Sequence, residues 1–214
     1  MIKRGLIIDK ERKTFALRLS MFVVFYLTSF FLLENRVVPI NLVMSEIDKA
    51  IPFCEWFIIP YLLWFPWLLI TAGYFIFFVK DTNETRKLLY SFIAGTSVFL
   101  AVSLFFPNGH NLRPQLTVSN NLLMDAVKIL YSVDTATNVF PSMHVFCTVV
   151  MVIAWLRQDF IKQNIWAKSF VILLSVGIVL ATMCLKQHSI IDVAGALILN
   201  CICYELLYGK KVLD

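Results

Sequence analysis

The stretch LLYSFIAGTSVFLAVSLFF, residues 88–106, contains no charged side chain and is long enough to cross a bilayer. A membrane-spanning helix needs about 20 mainly apolar residues. Five further stretches are also mainly apolar and of similar length, and they are residues 14–33, 56–79, 140–156, 167–185 and 189–208. The sequence therefore predicts an all-α fold, with six transmembrane helices forming one domain over residues 1–214.

The composition of the whole chain agrees with a membrane protein. Hydrophobic residues make up 59% of it and charged residues 15%, with 19 phenylalanines. Soluble domains are about a quarter charged. The basic N-terminus and the apolar run to Leu33 could imitate a signal peptide, but no small-residue cleavage pattern follows. We therefore expect a retained first helix in an integral, multi-pass membrane protein.

The net charge of +5 could suggest a nucleic-acid partner, but its distribution favours membrane topology. With the N-terminus placed in the cytoplasm, 13 Lys and Arg fall in inner segments, 5 in outer segments, and Arg18 within a span. Positive residues concentrate on the cytoplasmic side of membrane proteins. We expect both termini in the cytoplasm, no nucleic-acid partner, and for so compact a chain a bacterial inner membrane. Nothing in the sequence indicates an oligomeric state.

The longest loop, residues 107–139, contains the semi-apolar stretch NLLMDAVKIL, residues 121–130. It is too short to span, so we expect a short surface or re-entrant helix between spans three and four. The five cysteines form no CxxC pair and no metal-ligand spacing. They are interpreted as small packing residues, and no metal or cofactor is expected.

Only three histidines occur, His110, His144 and His188, and all fall at predicted outer ends of spans. Arg113, Lys186 and Asp192 share that level. Ionisable groups at membrane depth are costly and usually face a cavity or a partner. The sequence therefore predicts one shared polar site facing the outside.

His188 and Asp192 are four residues apart, which places them on one face of a helix. A carboxylate that accepts a hydrogen bond from one imidazole nitrogen leaves the other nitrogen as a directed lone pair. The pair therefore suits a nucleophilic or basic histidine. The alternative is a pair at a helix start that only satisfies itself.

The segment FPSMHVF, residues 140–146, reads as a helix start, with Pro141 in the first turn and Asn138 as a cap. A helix N-terminus favours anions, Ser142 adds a hydroxyl, and His144 could protonate a leaving oxygen. The alternative is a capped helix with an interfacial histidine. Likewise, Arg113 could bind two phosphate oxygens or be a solvated loop residue.

Three motifs occur in order at successive outer loops: R-P at 113–114, P-S-M-H at 141–144 and H-x-x-x-D at 188–192. This combination, with six spans, resembles the type 2 phosphatidic acid phosphatase superfamily over about residues 106–195. The resemblance implies that His188 is the nucleophile forming a phosphohistidine, that Asp192 orients it, and that His144 is the general acid and later the base for water. It further implies that phosphate oxygens are held by Arg113, Ser142 and the backbone N–H of Met143, without a metal.

Some positions depart from the family pattern. The family lysine falls on Phe106, the glycine on Met143, and the Ser-Arg pair on residues 181–182, so Thr182 stands at the arginine position of the phosphate site. Lys186, and His110 if protonated, are our hypotheses for replacement cations. The related sphingomyelin and inositol phosphorylceramide synthases also lack parts of the cationic set.

The resemblance implies a metal-independent membrane lipid phosphatase. Its substrate would be a lipid phosphate in the bilayer, such as phosphatidic acid, phosphatidylglycerol phosphate or a polyprenyl diphosphate. A lipid phosphotransferase of the sphingomyelin or inositol phosphorylceramide synthase type is the first alternative. A non-catalytic lipid-binding membrane protein is the second.

Overall fold

The structure is a computed structural model that describes residues 2–116 and 121–209, and of residues 2–9 the backbone alone. Lys210 and Lys211, two of the predicted inner cations, lie outside the described residues, as do residues 117–120 of the longest loop. The helices within the described part are α1 (Ile2–Glu34), α2 (Ile47–Ala50), a 3₁₀ turn (Glu55–Phe57), α3 (Ile58–Phe77), α4 (Thr82–Phe105), α5 (Leu122–Val133), α6 (Met143–Leu156), α7 (Asp159–Gln163), α8 (Ile165–Cys184) and α9 (Ile190–Tyr208).

Among the described residues, five helical segments are long and apolar enough to cross a membrane, and they are Lys10–Glu34, Glu55–Phe77, Thr82–Phe105, Ile165–Cys184 and Ile190–Tyr208. Their outward faces carry large exposed apolar side chains, such as Leu69 on α3 and Leu173 on α8. An exposed apolar surface of this extent marks contact with lipid or protein. An all-helical fold of the multi-pass membrane type therefore agrees with the prediction.

The predicted fourth span, residues 140–156, corresponds to the shorter helix α6 of 14 residues. At 1.5 Å per residue this helix is about 21 Å long, less than a hydrocarbon core of about 30 Å. The predicted helix start was wrong. Ser142 is the N-cap, its Oγ accepting the N–H of Val145, so Pro141 precedes the helix. Asn138 caps nothing here, because its φ is 50° and its side-chain amide donates to Glu34.

Helix α6 lies at the centre of the bundle and contacts α3, α4, α8 and α9. Most of its side chains are buried, and the indole N–H of Trp155 donates to Thr71 Oγ1 at 2.8 Å. Gly95 on α4 lets the ring of Phe146 approach, since a Cβ there would lie 2.0 Å from it. A helix enclosed by neighbours on every side fixes the residues at its start in space.

Helix α5 corresponds to the predicted helix between spans three and four, and Asn121 caps it. Val127 packs against Ile58 and Tyr61, whereas Leu122, Ile129 and Val133 are exposed. One face is therefore buried and the other faces outward, as in a helix lying on the surface of the bundle.

Polar contacts hold the two ends of the bundle in different ways. At one end Arg86 pairs with Glu11, and Arg157 donates to both carboxylate oxygens of Glu84. At the other end two short strands that the sequence did not predict, β1 (Asn41–Leu42) and β2 (Asn108–Gly109), form a parallel pair. The pair ties the loop after α1 to the loop that carries His110.

Candidate active site

A cavity of about 60 Å³, room for a few water-sized groups, lies at the end of the bundle that carries all three histidines. His144 and His188 line it together with Met143 and Gln187. Its other walls are aromatic rings of α1 and α4 and the loop before α6, comprising Tyr26, Phe30, Phe99, Asp134, Thr135, Thr137, Asn138 and Val139. The predicted nucleophile and the predicted general acid therefore meet at one cavity.

His188 lies in the turn between α8 and α9, and Asp192 lies in the first turn of α9. The Nδ1 of His188 is 3.5 Å from Oδ2 of Asp192, and the two side chains are 9% and 0% exposed. The same Oδ2 accepts the N–H of Ser189 at 2.8 Å, completing a capping box. The carboxylate is thus fixed by the helix start and faces the imidazole. The predicted placement of both residues on one helical face was wrong, because His188 precedes the N-cap Ser189 and lies in the turn before α9.

His144 occupies the second position of α6, and its ring centroid is 5.7 Å from that of His188. Aromatic rings of α3 surround it, with Trp64 at 4.5 Å and Tyr61 at 4.8 Å between centroids. Its Nε2 is buried without a hydrogen-bond partner among the described residues. A polar group that enters the cavity would supply the partner that this nitrogen lacks.

The loop that leads into α6 is held by two residues that sequence reasoning missed. Asn108 is fully buried, and its Oδ1 accepts the N–H groups of Val139 and Phe140 at 2.9 and 2.8 Å. Glu34, at the end of α1, accepts hydrogen bonds from Thr137 and Asn138. Their loops are distant in sequence, so no local pattern indicates these partners.

Ser142 and Met143 are both buried at the start of α6. The backbone N–H of Ser142 donates to the carbonyl of Asp192 at 3.1 Å, which ties the α6 start directly to the α9 start. Its Oγ accepts from Val145 and keeps a hydroxyl hydrogen for donation. Met143, at the family glycine position, contributes its side chain to the cavity wall.

Arg113 acts as a clamp on the loop after α5. Its guanidinium donates to the carbonyls of Asp134 and Thr135 at 2.7 and 2.9 Å, and to the side-chain oxygen of Gln187. The ring of Tyr131 lies 4.5 Å from its charged carbon. The structure therefore places Arg113 beside the cavity. Its two terminal nitrogens donate to protein oxygens, and its buried Nε has no hydrogen-bond partner among the described residues.

His110 lies next to the cavity but does not line it. Its Nε2 donates to the carbonyl of Gln187 at 2.8 Å, and its Nδ1 accepts the N–H of Leu112 at 3.3 Å. These partners define the neutral tautomer with the proton on Nε2, and burial lowers the pKa of His110 below its usual value. Both observations oppose the protonated form that a replacement cation requires.

Lys186 and Thr182 also lie outside the cavity wall. The Nζ of Lys186 donates to the carbonyls of Asp48 and Ile51 in the loop between α1 and α3, and the backbone φ at Lys186 is 52°. The hydroxyl of Thr182 donates to Val179 O within α8. Its carbonyl accepts the N–H of His188 at 3.0 Å, so Thr182 supports the histidine through the backbone.

Within residues 2–116 and 121–209 no group of three or more His, Cys, Asp or Glu side chains could hold a metal ion. The cavity is lined by the imidazoles of His144 and His188, and Asp192 lies behind His188. The other polar residues of its wall are Tyr26, Asp134, Thr135, Thr137, Asn138 and Gln187. Such a set suits nucleophilic attack and proton transfer. The chain matches no family model, no curated protein and no solved structure.

Proposed function

We propose that this protein is a membrane-embedded lipid phosphatase of the type 2 phosphatidic acid phosphatase kind. The observation that carries the proposal is the meeting of His188 and His144 at one cavity, with Asp192 behind His188. Of the residues that carry the family resemblance, His144 and His188 line this cavity, together with Met143 at the family glycine position. In this proposal α6 crosses the membrane together with the five longer helices, which makes six spans. Both termini are cytoplasmic, and the cavity faces the outer side of a bacterial inner membrane.

The proposed reaction has two steps. The Nε2 of His188 attacks phosphorus while its Nδ1–H is held toward Asp192, and the bond from phosphorus to the lipid oxygen breaks. His144 donates a proton to the departing oxygen. Water then attacks the phosphohistidine, His144 accepts a proton from that water, and the phosphorus–nitrogen bond breaks to release phosphate and free His188.

The substrate in this proposal keeps its tails in the membrane. The cavity lies at a bundle end and is walled by Tyr26, Phe30 and Phe99, whose rings could contact the part of a lipid nearest its headgroup. A phosphate in the cavity would give His144 Nε2 its missing acceptor. Phosphatidic acid, phosphatidylglycerol phosphate and a polyprenyl diphosphate all present such a phosphoryl group.

A second candidate is transfer of a phosphoryl headgroup to an alcohol, as in the sphingomyelin and inositol phosphorylceramide synthases. The supporting observation is charge. Among the described residues no Lys or Arg lines the cavity, and Arg113 and Lys186 donate to protein oxygens. A phosphodiester carries one negative charge and needs less positive compensation than a dianionic phosphomonoester.

One assay separates these functions. Purified protein in lipid nanodiscs is given phosphatidic acid, phosphatidylglycerol phosphate, a polyprenyl diphosphate and phosphodiester lipids, with and without added alcohols. Release of inorganic phosphate supports the phosphatase. Headgroup transfer that requires an alcohol supports the transferase. No turnover on any of them would overturn both and leave a non-catalytic lipid-binding protein.

A further inference from the structure

Asp48, in the short helix α2 of the first outer loop, is a buried carboxylate outside the cavity. Asp48 as a whole residue is only 1% exposed to solvent. Oδ1 accepts the N–H of Ile190 at 2.7 Å, and Oδ2 accepts the N–H of Ser45 at 2.7 Å. A buried carboxylate is tolerated only when such bonds replace water. One of these bonds links the outer loop to the first residue of α9.

The backbone of Asp48 makes a second contact with the same region. Its carbonyl accepts the Nζ of Lys186 at 2.6 Å, and the carbonyl of Ile51 accepts the same ammonium. Lys186 lies two residues before His188, and Ile190 lies two residues after it. The segment around Asp48 therefore forms hydrogen bonds with the chain on both sides of His188.

The first turn of α9 is fully occupied by carboxylates and a hydroxyl. Ser189 Oγ accepts the N–H groups of Ile191 and Asp192, Asp192 accepts the N–H of Ser189, and Asp48 accepts that of Ile190. Negative charge at a helix N-terminus is stabilising. This helix start is consequently held in place by residues rather than left open for phosphate.

His188 has few other restraints. Its backbone N–H donates to the carbonyl of Thr182 at 3.0 Å, and its Nδ1 lies 3.5 Å from Asp192. Lys186 lies between Thr182 and His188 in the sequence, and its backbone has the left-handed conformation. Reacting groups must be held to within about 0.5 Å, and errors of about 1 Å can reduce rates about 100-fold.

We propose that Asp48 is a positioning residue for His188. This inference rests on the proposed function of His188 as a nucleophile. Asp48 fixes the α9 start through Ile190 and the preceding turn through Lys186, so that the Nδ1 of His188 faces Asp192 and its Nε2 lone pair points into the cavity. Lys186 then supports the position of His188 together with Asp48, instead of contacting phosphate as its sequence position suggested.

The chain offers a direct readout that does not need turnover. The chain contains three histidines, so nitrogen NMR of histidine-labelled full-length protein in nanodiscs gives the signals of three imidazole rings. Each ring is assigned by replacing one histidine at a time. We expect wild-type His188 to show one neutral tautomer with the proton on Nδ1. In Asp48→Asn one side-chain oxygen can still accept a hydrogen bond, but the new amide group faces the second backbone N–H and cannot accept from it. The His188 signals should therefore show a mixture of tautomers. The His110 signals should stay unchanged.

A matched control lies on the same helical turn. Glu46 and Lys49 form an exposed ion pair, with side chains 83% and 59% exposed. Glu46→Gln and Lys49→Met should leave the His188 signals as in the wild type. If Asp48→Asn does not fold, Lys186→Met and Lys186→Arg carry the test, because arginine keeps donors for the two carbonyls. Methionine should give the mixture and arginine should restore the single tautomer.

The turnover arm separates this inference from the proposed function. We expect Asp48→Asn and Lys186→Met to lower kcat about 10- to 100-fold with KM nearly unchanged. Wild-type His188 ring signals in either folded variant would overturn the positioning role, whatever the activity. If the wild type turns over no lipid while Asp48→Asn still alters the His188 tautomer, the proposed function fails and the positioning role stands.

Discussion

Oδ2 of Asp192 accepts the N–H of Ser189 at 2.8 Å and lies 3.5 Å from Nδ1 of His188, which has no hydrogen-bond partner among the described residues. The capping box that starts α9 therefore fixes the carboxylate that faces the imidazole. A carboxylate already fixed by the backbone has little freedom to leave its histidine. Stability and the proposed chemistry consequently share one oxygen atom.

Asp192→Asn should therefore lower both activity and stability. Asparagine can accept from Ser189 or from the imidazole but no longer carries the charge that favours the developing imidazolium, so we expect turnover to fall by orders of magnitude. Ser189→Ala is the matched control. It loses the cap, at a cost of about 1 kcal/mol, but keeps the carboxylate. Equal rates in Asp192→Asn and Ser189→Ala, measured beside their thermal midpoints in detergent, would contradict the orienting role.

His188→Ala should abolish turnover and the covalent intermediate. Quenching wild-type protein in alkaline detergent, after reaction with a lipid that carries radioactive phosphorus in its phosphoryl group, should trap label on the protein. That label should be stable in base and released in acid, as expected of phosphohistidine. His144→Gln should keep slow labelling, because it removes proton transfer worth about 100- to 10,000-fold but leaves the nucleophile. Residual turnover in His188→Ala at the His144→Gln level would favour direct attack by water.

Arg113→Lys should weaken the clamp on the loop after α5, since lysine cannot donate to two carbonyls and Gln187 in the same fork. We expect faster hydrogen exchange in residues 134–137 and a lower kcat/KM. Arg36→Lys is the comparison, because Arg36 similarly donates to the carbonyls of Ser103 and Leu104. A loss of kcat/KM in both variants to the same degree would assign Arg113 a purely structural role.

Gly195→Ala should disturb the entry to α6. A Cβ at residue 195 would lie 2.4 Å from the ring of Phe140, which directly precedes Pro141. We expect a loss of about 1–3 kcal/mol in the free energy of unfolding and reduced activity. Gly73→Ala is the control, because nothing lies within 4 Å of the added atom and alanine favours helix by about 1 kcal/mol. Equal thermal midpoints for these two variants would refute the close packing of Phe140.

His110 should make stability depend on pH. Burial lowers its pKa in the folded state, whereas the unfolded chain takes up a proton near pH 6.5. The unfolded state then binds more protons, so stability is full above that pH and falls as the pH drops below it. His110→Gln should flatten this dependence between pH 8 and pH 5 in thermal unfolding. Parallel pH curves for wild type and variant would show that the pKa of His110 is the same in the folded and unfolded states.

The long apolar helices were predictable, because hydrophobic runs are a local property of the sequence. A shared site for His144 and His188 was expected from the three motifs taken together. The start of α6 was not predictable, because Asn138, the expected cap, donates a hydrogen bond to Glu34 at the end of α1. The side chain of Lys186 contacts acceptors in the loop between α1 and α3, which no local pattern indicates. Asp48 has no local signal at all, since its partners at residues 186 and 190 are remote in the chain.

The parallel pair of Asn41–Leu42 with Asn108–Gly109 imposes an order on assembly during synthesis. It cannot form until the chain has been made through Gly109, and by then α1, α3 and α4 all exist. The residues of α6 and α9 are made later. The strand pair therefore consists only of residues that are synthesised before His144 and His188, and its two loops can join without either histidine.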